Sequence, residues 1–138
     1  MALNGLLSTG VPTDWSVHLI GHELTALHGI DHARTLAIVL PGMWRVLREE
    51  KKKKLLQYGE RVWGISAGTD DERCDKAIRL TEEFFKSLGI GTRLPEYNAG
   101  IETIDEIVSR FRSRKWFETG DRKLVTPDIV RNVLEDRL

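Results

Sequence analysis

The sequence predicts an all-α fold, a single helical bundle that comprises residues 1–138. Three observations support this prediction. Apolar residues recur at the three- and four-residue spacing of a helix along most of the chain, whereas strand-like alternation is weak and confined to KLVT. Capping signals divide the chain into segments of helical length, with no repeat or linker between them. The length is that of one ordinary domain, which buries roughly two-thirds of its unfolded surface without disulfides or a structural metal.

The first predicted helix begins after Pro12, where Thr13 or Asp14 can cap it, and ends at Gly29, which suits a left-handed C-terminal position. An apolar segment, ARTLAIVL, follows and should be buried. Because Pro41 removes one helical hydrogen bond, a kink or a break is expected there. The next segment, REEKKKKLLQYGERVW, is predicted to be a charged, solvated helix. Its inward-facing residues are expected to be Leu55, Leu56, Gly59 and Trp63.

A capping box formed by Thr69 and Glu72 opens the next predicted helix, which ends at Gly89. Glu82 and Glu83 are expected to face solvent. The apolar stripe of this helix is expected to contain Ile78, Thr81, Phe85 and Leu88. The stretch that follows, IGTRLPEYNAG, is predicted to be a loop, and its length indicates that it is functional or contacts another part of the structure.

Two further amphipathic helices are predicted near the C-terminus. The first is defined by Ile101, Ile104, Val108 and Phe111. The second starts at Thr126, with Pro127 in its first turn. Tryptophans at four positions are expected to anchor the core or its boundary, namely Trp15, Trp44, Trp63 and Trp116.

Charge and cysteine content exclude several classes of function. The chain has 21 basic and 21 acidic residues, so its net charge gives no reason to expect nucleic acid or an anionic membrane as a partner. Cys74 has no second cysteine to pair with, which favours a reducing, cytoplasmic compartment. Its acidic neighbours disfavour the thiolate form. The first ten residues lack the basic region of a signal peptide, and their apolar run is too short to span a bilayer.

All four histidines, His18, His22, His28 and His32, lie in the stretch SVHLIGHELTALHGIDHA. His18 and His22 are four residues apart and can share one helix face. His28 and His32 are also four apart, across Gly29. Imidazoles grouped in this way are typical ligands of a first-row transition metal, although the spacing alone is common in helices.

Each metal-binding histidine usually donates from its other ring nitrogen to an acceptor, for which Glu23, Asp31 or backbone carbonyls are the nearby candidates. The stretch HELTALH does not match the HExxH motif of zinc proteases, because the second histidine follows the first by six residues. A lone histidine on an apolar helix is more often a hydrogen-bonded core or boundary residue than a ligand, and this is the interpretation we favour for His28.

The histidine region resembles the signature of the iron-containing (group III) alcohol dehydrogenases. That signature has a histidine, a second one four residues later and a third ten further on, followed by a helix of small residues that ends in Leu-Pro. The matching residues are His18, His22 and His32, then ARTLAIVLP. Three later stretches also resemble this family, especially its NADPH-dependent aldehyde reductase, or butanol-dehydrogenase-like, branch. They are LLQYGERVWGI, DDERCDKAI and FFKSLGIGTRLPEY. Ala33 and Gly91 depart from residues common in the family.

This resemblance implies an all-helical C-terminal domain of the dehydroquinate synthase-like type, without the N-terminal α/β nucleotide-binding domain of the family. In that family one aspartate and three histidines hold a catalytic Fe²⁺ or Zn²⁺. His18 and His32 match the last two of these ligands, and the other two would lie upstream of Met1. His22 matches a histidine beside the metal on the substrate and nicotinamide side, so the resemblance assigns it a catalytic role.

The resemblance implies hydride transfer between NADP(H) and a small alcohol or aldehyde whose carbonyl is polarised by the metal. The isolated chain is expected to be inactive and to bind metal weakly, unless water, a second copy in a homo-oligomer or the missing domain supplies more ligands. The start MALNGLL looks like the middle of a helix and favours a fragment. The alternative is an autonomous helical module that binds metal or self-associates without catalysis. The choices between iron and zinc and between NAD and NADP stay open.

Overall fold

Six α-helices make up most of residues 5–138, the part of the chain that the computed structural model describes. They are α1 (Ser16–His28), α2 (His32–Val46), α3 (Arg48–Trp63), α4 (Asp70–Ser87), α5 (Ile101–Ser113) and α6 (Pro127–Glu135). Two short 3₁₀ helices cover Leu6–Ser8 and Leu94–Tyr97. Within the described residues, KLVT contributes one antiparallel bridge, between Val125 and Thr119. The all-α prediction is therefore confirmed, whereas the helix expected for MALNGLL lies partly outside the described residues.

The ends of α1 follow from local sequence. Gly29 adopts a left-handed conformation with φ of 65°, and its amide donates to the carbonyl of Thr25, as the sequence predicts. The prediction for the other end is off by one or two residues, because Trp15 occupies the cap position. Asp14 still stabilises this end, since its Oδ1 accepts a hydrogen bond of 2.9 Å from the backbone amide of Ser16.

The helix that contains Pro41 does not break there. α2 continues through the proline and ends at Val46. A proline inside a helix costs about 3 kcal/mol, whereas each fully buried aliphatic side chain contributes roughly 1.5–3 kcal/mol. Buried apolar residues on both sides of the proline hold the helix together, namely Ala37, Ile38, Val39 and Met43. Of the two outcomes expected at Pro41, a kink or a break, the break does not occur, because burial outweighs the lost hydrogen bond.

α2 is the central helix, in contact with α1, α3, α4 and α6. Its approach to α6 depends on Gly42. A Cβ atom at that position would lie 2.8 Å from the backbone oxygen of Val133 and 2.7 Å from Cδ of Arg137. The main apolar core surrounds this crossing and includes Ile20, Leu24, Ile38, Met43, Ile104, Phe111, Val130 and Leu134.

α3 and α4 pack against each other on one side of α2. Leu55 and Gly59 are buried while Leu56 and Trp63 are half-buried, which confirms the inward face predicted for α3. The capping box at the start of α4 is also confirmed: the Glu72 amide donates to the Thr69 hydroxyl, and the Glu72 carboxylate accepts from the Thr69 amide.

Three surface expectations are wrong. Glu82, expected in solvent, is 5% exposed. Leu88, expected in the apolar stripe of α4, lies just beyond the helix and is 59% exposed. Trp15, expected to anchor the core, is 57% exposed. Trp44, Trp63 and Trp116 are half-buried, in agreement with a boundary role.

Glu82 is buried because it is the acceptor of a charged network. Its Oε1 lies 2.6 Å from Nη2 of the fully buried Arg137, and its Oε2 lies 2.6 Å from Nη2 of Arg45. The Thr92 hydroxyl donates to it at 3.0 Å. Arg137 and Arg45 both contact Asp136 at 3.0 Å. The network joins α2, α4, the C-terminal residues and the loop before Leu94, so this loop contacts the core as its length indicates.

No helix within residues 5–138 combines the length and the apolar character that crossing a membrane requires.

The substitution Gly42→Ala is expected to destabilise the fold. An extra methyl group in a packed interior costs about 1–3 kcal/mol, which exceeds the gain in helix propensity of at most about 1 kcal/mol. Urea unfolding measures the change. Gly59→Ala is the matched control, because it brings the same helical gain but its new Cβ would meet a methyl group, that of Ala77, at 3.2 Å. Equal stability of the two variants would contradict the role given to Gly42.

Acid unfolding should expose the contribution of Glu82. Burial by itself would raise the pKa of this carboxyl, but hydrogen bonds from Arg45 and Arg137 outweigh burial and lower the pKa from 4.5 to about 2. Because the folded-state pKa is the lower one, the stabilisation is complete above pH 4.5 and is lost as the pH falls towards 2. The loss amounts to about 3 kcal/mol.

Thermal unfolding between pH 6 and pH 2 tests this, with Glu82→Gln compared against Glu83→Gln on the exposed side of α4. The Glu82 variant should be destabilised at pH 6 and should lose less further stability in acid than the original chain, because other carboxyls with a lowered pKa, such as Asp14, still titrate. The Glu83 variant should follow the original chain. A Glu82 variant with the original acid profile would refute the assignment.

Candidate metal centre

Three of the four histidines meet where α1 and α2 cross. Nδ1 of His18 lies 2.9 Å from Nε2 of His32. The rings of His22 and His32 are stacked, with centroids 4.3 Å apart and planes inclined by 8°. One possible ligand atom from each of the three residues lies within 4.8 Å of the other two. Among residues 5–138 this is the one group of three histidine, cysteine or acidic side chains close enough to hold a metal ion.

The crossing is close because of Gly21. This residue lies on α1 between His18 and His22, and a Cβ atom here would be 2.7 Å from the hydroxyl of Thr35 on α2. With no side chain in the way, the first turn of α2 reaches α1. His32, the first residue of α2, is thereby placed beside the two histidines of the neighbouring helix.

Thr35 also orients the His32 ring. It is fully buried, and its hydroxyl donates to the His32 carbonyl at 2.7 Å. The same oxygen lies 3.4 Å from Nδ1 of His32. Since the hydroxyl proton is directed to the carbonyl, the oxygen is free to accept a proton from Nδ1. With the proton on Nδ1, we expect the lone pair on Nε2, the nitrogen that faces His18.

The surroundings keep His32 neutral. Burial lowers the pKa of His32 below its ordinary 6.5, and charge on His22 and His18 lowers it further. A neutral imidazole has the free lone pair that a metal ion requires. His18 and His32 are half-buried whereas His22 is exposed, so the cluster opens towards the surface at His22.

Glu23 and Asp31, the acceptors expected for the histidines, pair with arginines instead. Glu23 is buried and pairs with Arg110 at 3.2 Å and with Arg114, both in the α5 region. These ion pairs link α1 to the α5 region. Asp31 pairs with Arg34 at 3.6 Å on the exposed surface. Thr35, which sequence reasoning missed, contacts a histidine instead, and its position three residues after His32 is the signal that could have identified it.

His28 lies outside the cluster. Its Nε2 is 2.8 Å from the hydroxyl of Thr103 on α5, at the far end of α1 from His18. His28 is exposed, so it is not a core residue, but its contact with Thr103 agrees with a hydrogen-bonded role outside the cluster.

An apolar cleft of about 470 Å³ lies along α3, lined by Trp44, Leu55, Tyr58 and Val62 with a basic rim. None of the histidines lines it. The hydroxyl of Tyr58 is hydrogen-bonded to Thr81 at 2.8 Å. The cleft therefore contains no group of metal ligands, and the candidate chemistry lies at the histidines.

The sequence profile of the Fe-containing alcohol dehydrogenase family, C-terminal, matches residues 3–136. The chain belongs to this family. Its six helices form the family's C-terminal fold, in agreement with the resemblance found in the sequence.

Curated relatives and solved structures agree with this assignment. The chain is 48% identical over 134 residues to the NADPH-dependent aldehyde reductase YqhD of Escherichia coli, covering 97% of this chain and 35% of the relative. It is 40% identical over 107 residues to the NADH-dependent butanol dehydrogenase A of Clostridium acetobutylicum, covering 76% and 28%.

The crystal structure of E. coli YqhD superimposes with a TM-score of 0.95 at 47% identity, over 99% of this chain and 35% of that one. The crystal structure of the NADH-dependent butanol dehydrogenase A of Thermotoga maritima superimposes with a TM-score of 0.88 at 25% identity. The match covers 99% of this chain and 36% of that one. The chain thus spans about a third of the length of these proteins.

Thr35→Val should disturb the His32 ring while it keeps the shape of the side chain. Loss of one neutral hydrogen bond costs about 0.5–1.5 kcal/mol, so the share of His32 with its proton on Nδ1 should fall by up to about tenfold relative to the other tautomer. Long-range ¹H–¹⁵N NMR, at a pH where the imidazoles are neutral, measures the two forms directly.

Thr35→Ser should retain the original tautomer, because the hydroxyl stays. Thr25→Val is the control for loss of a helical hydroxyl, since Thr25 bonds the Gly21 carbonyl at 3.2 Å and contacts no histidine. An unchanged tautomer in Thr35→Val would show that the hydroxyl does not orient the ring.

Proposed function

We propose that this chain carries half of the metal centre and part of the substrate pocket of a metal-dependent alcohol dehydrogenase or NADPH-dependent aldehyde reductase. The observation that supports this most strongly is the facing pair of ring nitrogens, Nδ1 of His18 and Nε2 of His32, 2.9 Å apart. The same two residues match the histidine signature of the family to which the chain belongs.

In this proposal His18 and His32 are metal ligands. Two histidines leave a divalent ion short of protein ligands, because catalytic sites of this kind use at least three. An aspartate and a third histidine would come from outside this chain, on the N-terminal nucleotide-binding part that the longer relatives possess. The helical domain, residues 1–138, would be one part of a two-domain enzyme.

The donor set suits Fe²⁺ or Zn²⁺, since neutral imidazole binds both. Such an ion supplies Lewis-acid polarisation of a carbonyl oxygen, while the nicotinamide supplies the hydride. The chain's own contribution is to hold two neutral imidazoles in place. Burial of His32 and the packing of Thr35 against Gly21 perform this task.

His22 is proposed as the catalytic residue of the cluster. It is exposed, next to the two proposed ligands, on the side where a substrate could approach. A neutral imidazole has one donor and one acceptor nitrogen, so His22 can pass a proton to an alkoxide oxygen and regain it from solvent. Trp15, whose ring centroid lies 5.0 Å from that of His18, borders the same space.

We propose NADP(H) as the cofactor and small alcohols or aldehydes as substrates. This chain is 48% identical to the NADPH-dependent reductase of E. coli and 40% identical to the NADH-dependent butanol dehydrogenase A of C. acetobutylicum. The higher identity to the NADPH-dependent enzyme favours NADP(H). A cytoplasmic location is proposed as well, since a lone cysteine fits a reducing compartment.

A hybrid enzyme tests the proposal. The upstream part of the E. coli reductase is joined to this chain at the matching position, and NADPH-dependent aldehyde reduction and metal content are measured. The hybrid should reduce aldehydes with about one ion per chain. His18→Ala and His32→Ala should each lose both ion and activity. His22→Ala should keep the ion, with kcat lowered about 10²- to 10⁴-fold.

His28→Ala is the matched control, because it removes an imidazole from the same helix but from outside the cluster. It should leave ion and activity unchanged. A hybrid that keeps its ion and its activity without His18 and His32 would overturn the proposal, and a folded, inactive, metal-free hybrid would favour a non-catalytic helical module.

A further inference from the structure

We propose that the apolar cleft along α3 is a binding site for small amphipathic carboxylates, which place an apolar ring system on its floor and a carboxylate at its basic rim. The proposed function makes no use of this cleft. Trp44, one of its lining residues, follows His32 by twelve positions on α2, which corresponds to about 18 Å along the helix. The site is therefore separate from the histidine cluster.

The floor of the cleft consists of packed apolar side chains. Leu55 is buried, while Trp44 and Tyr58 are half-buried, with ring centroids 5.2 Å apart and planes inclined by 54°. A hydrogen bond of 2.8 Å between the hydroxyls of Tyr58 and Thr81 holds the Tyr58 ring. The cleft volume of about 470 Å³ lies in the range of small-molecule pockets, which are mostly apolar with a few polar groups. A flat aromatic ligand suits this floor, because aromatic rings attract one another at tilted and offset angles.

Helical spacing brings basic side chains to the edge of this floor. Lys54, Tyr58 and Arg61 follow one another on α3 at steps of four and three residues, so they share one face of the helix. Another basic residue, Arg122, comes from the loop between α5 and α6. Its Nη1 donates to the backbone carbonyl of Glu50 at 3.1 Å, which ties the loop to α3. Cations from two parts of the chain thus border the same opening.

The charges at the rim are not balanced within the described residues. Lys54 contacts a neutral group, the amide oxygen of Gln57, at 3.3 Å, and neither arginine of the rim pairs with a described carboxylate. Lys51 differs, because it pairs with Asp14 at 2.7 Å and with Asp121 at 3.6 Å. Four basic and two acidic side chains line the cleft, so its field attracts anions.

A carboxylate fits these donors better than an uncharged group does. A guanidinium presents paired N–H donors that match the two oxygens of a carboxylate. Arg61 and Arg122 are exposed, so a carboxylate at the rim contacts them while it keeps part of its hydration. The apolar body of the same ligand contacts Trp44 and leaves water. An amphipathic carboxylate therefore complements both parts of the cleft.

The test uses the 138-residue chain and 2-naphthoate, an aromatic ring system with one carboxylate. Binding is followed by NMR of the indole N–H groups. The Trp44 signal should shift while those of Trp15, Trp63 and Trp116 shift little, because Trp44 alone of the four lines the cleft. The uncharged analogue 2-naphthalenemethanol should bind about three- to fivefold more weakly. Added salt should weaken the binding of 2-naphthoate and leave that of the alcohol unchanged.

Charge variants on α3 test the rim. Lys54→Gln and Arg61→Gln should each weaken 2-naphthoate binding about two- to fivefold, and the double variant should bind the carboxylate no better than the alcohol. Lys53→Gln is the matched control, because Lys53 belongs to the same run of lysines but lies outside the cleft. All three side chains are exposed, so each variant should fold, which circular dichroism establishes.

A variant of the apolar wall gives an independent test. Val62 lines the cleft and is 57% exposed, so Val62→Glu should keep the fold. Its new carboxylate should repel the bound anion and weaken 2-naphthoate binding severalfold. Leu88→Glu is the control, because Leu88 is 59% exposed and lies outside the cleft. It should leave binding unchanged.

Three results would overturn this inference. They are the absence of a Trp44 shift, equal binding of the carboxylate and the alcohol, and an equal loss of binding in Lys53→Gln and Lys54→Gln. Equal binding of the two probes would make the cleft an apolar surface for another partner, such as the N-terminal part of the longer relatives. The proposed function would be unaffected by any of these results, because no cleft residue belongs to the histidine cluster.

Discussion

The packing of α2 against its neighbours is the constraint on which the rest of the structure depends. Near the first turn of α2, Thr35 lies against Gly21 of α1, and near its last turns Gly42 lies against the backbone oxygen of Val133 in α6. At both places the absence of a side chain lets the helices approach. One contact assembles the histidine cluster, and the other positions Arg137 to receive Glu82. The packing of α2 therefore determines both the position of the histidine cluster and the position of the buried Glu82–Arg137 ion pair.

The features that could be predicted from the sequence depend on residues close to one another along the chain. The capping box of Thr69 and Glu72 and the left-handed end at Gly29 are of this kind. Glu82 could not be placed correctly, because its burial depends on Arg137, 55 positions away. Local pattern predicts a solvated carboxylate there, whereas two guanidinium groups compensate the cost of removing it from water. The continuation of α2 through Pro41 could not be predicted for the same reason, since packing against residues distant in sequence holds that helix together.

Some features of the candidate site could also be predicted from the sequence and others could not. That His18 and His22 share a face follows from their spacing, and that His32 joins them follows from the resemblance to the family's signature. The distance between the two helices could not be predicted, because it depends on the contact of Gly21 with Thr35 across the crossing. The hydroxyl that lies 3.4 Å from Nδ1 of His32 belongs to the same threonine. The candidate ligands could therefore be identified from the sequence, whereas the groups that hold them in position could not.

The contact of Gly21 with Thr35 has a consequence for the choice of ion. His18 and His32 come from different helices, so the separation of their nitrogens follows the separation of α1 and α2. Metal ions differ in bond length and in preferred coordination geometry. If His18 and His32 hold an ion as proposed, Gly21, which lies outside the cluster, limits the ionic radius that fits between the two imidazoles. A substitution at Gly21 would then change which ion fits by changing the distance between α1 and α2, while both imidazoles stay the same.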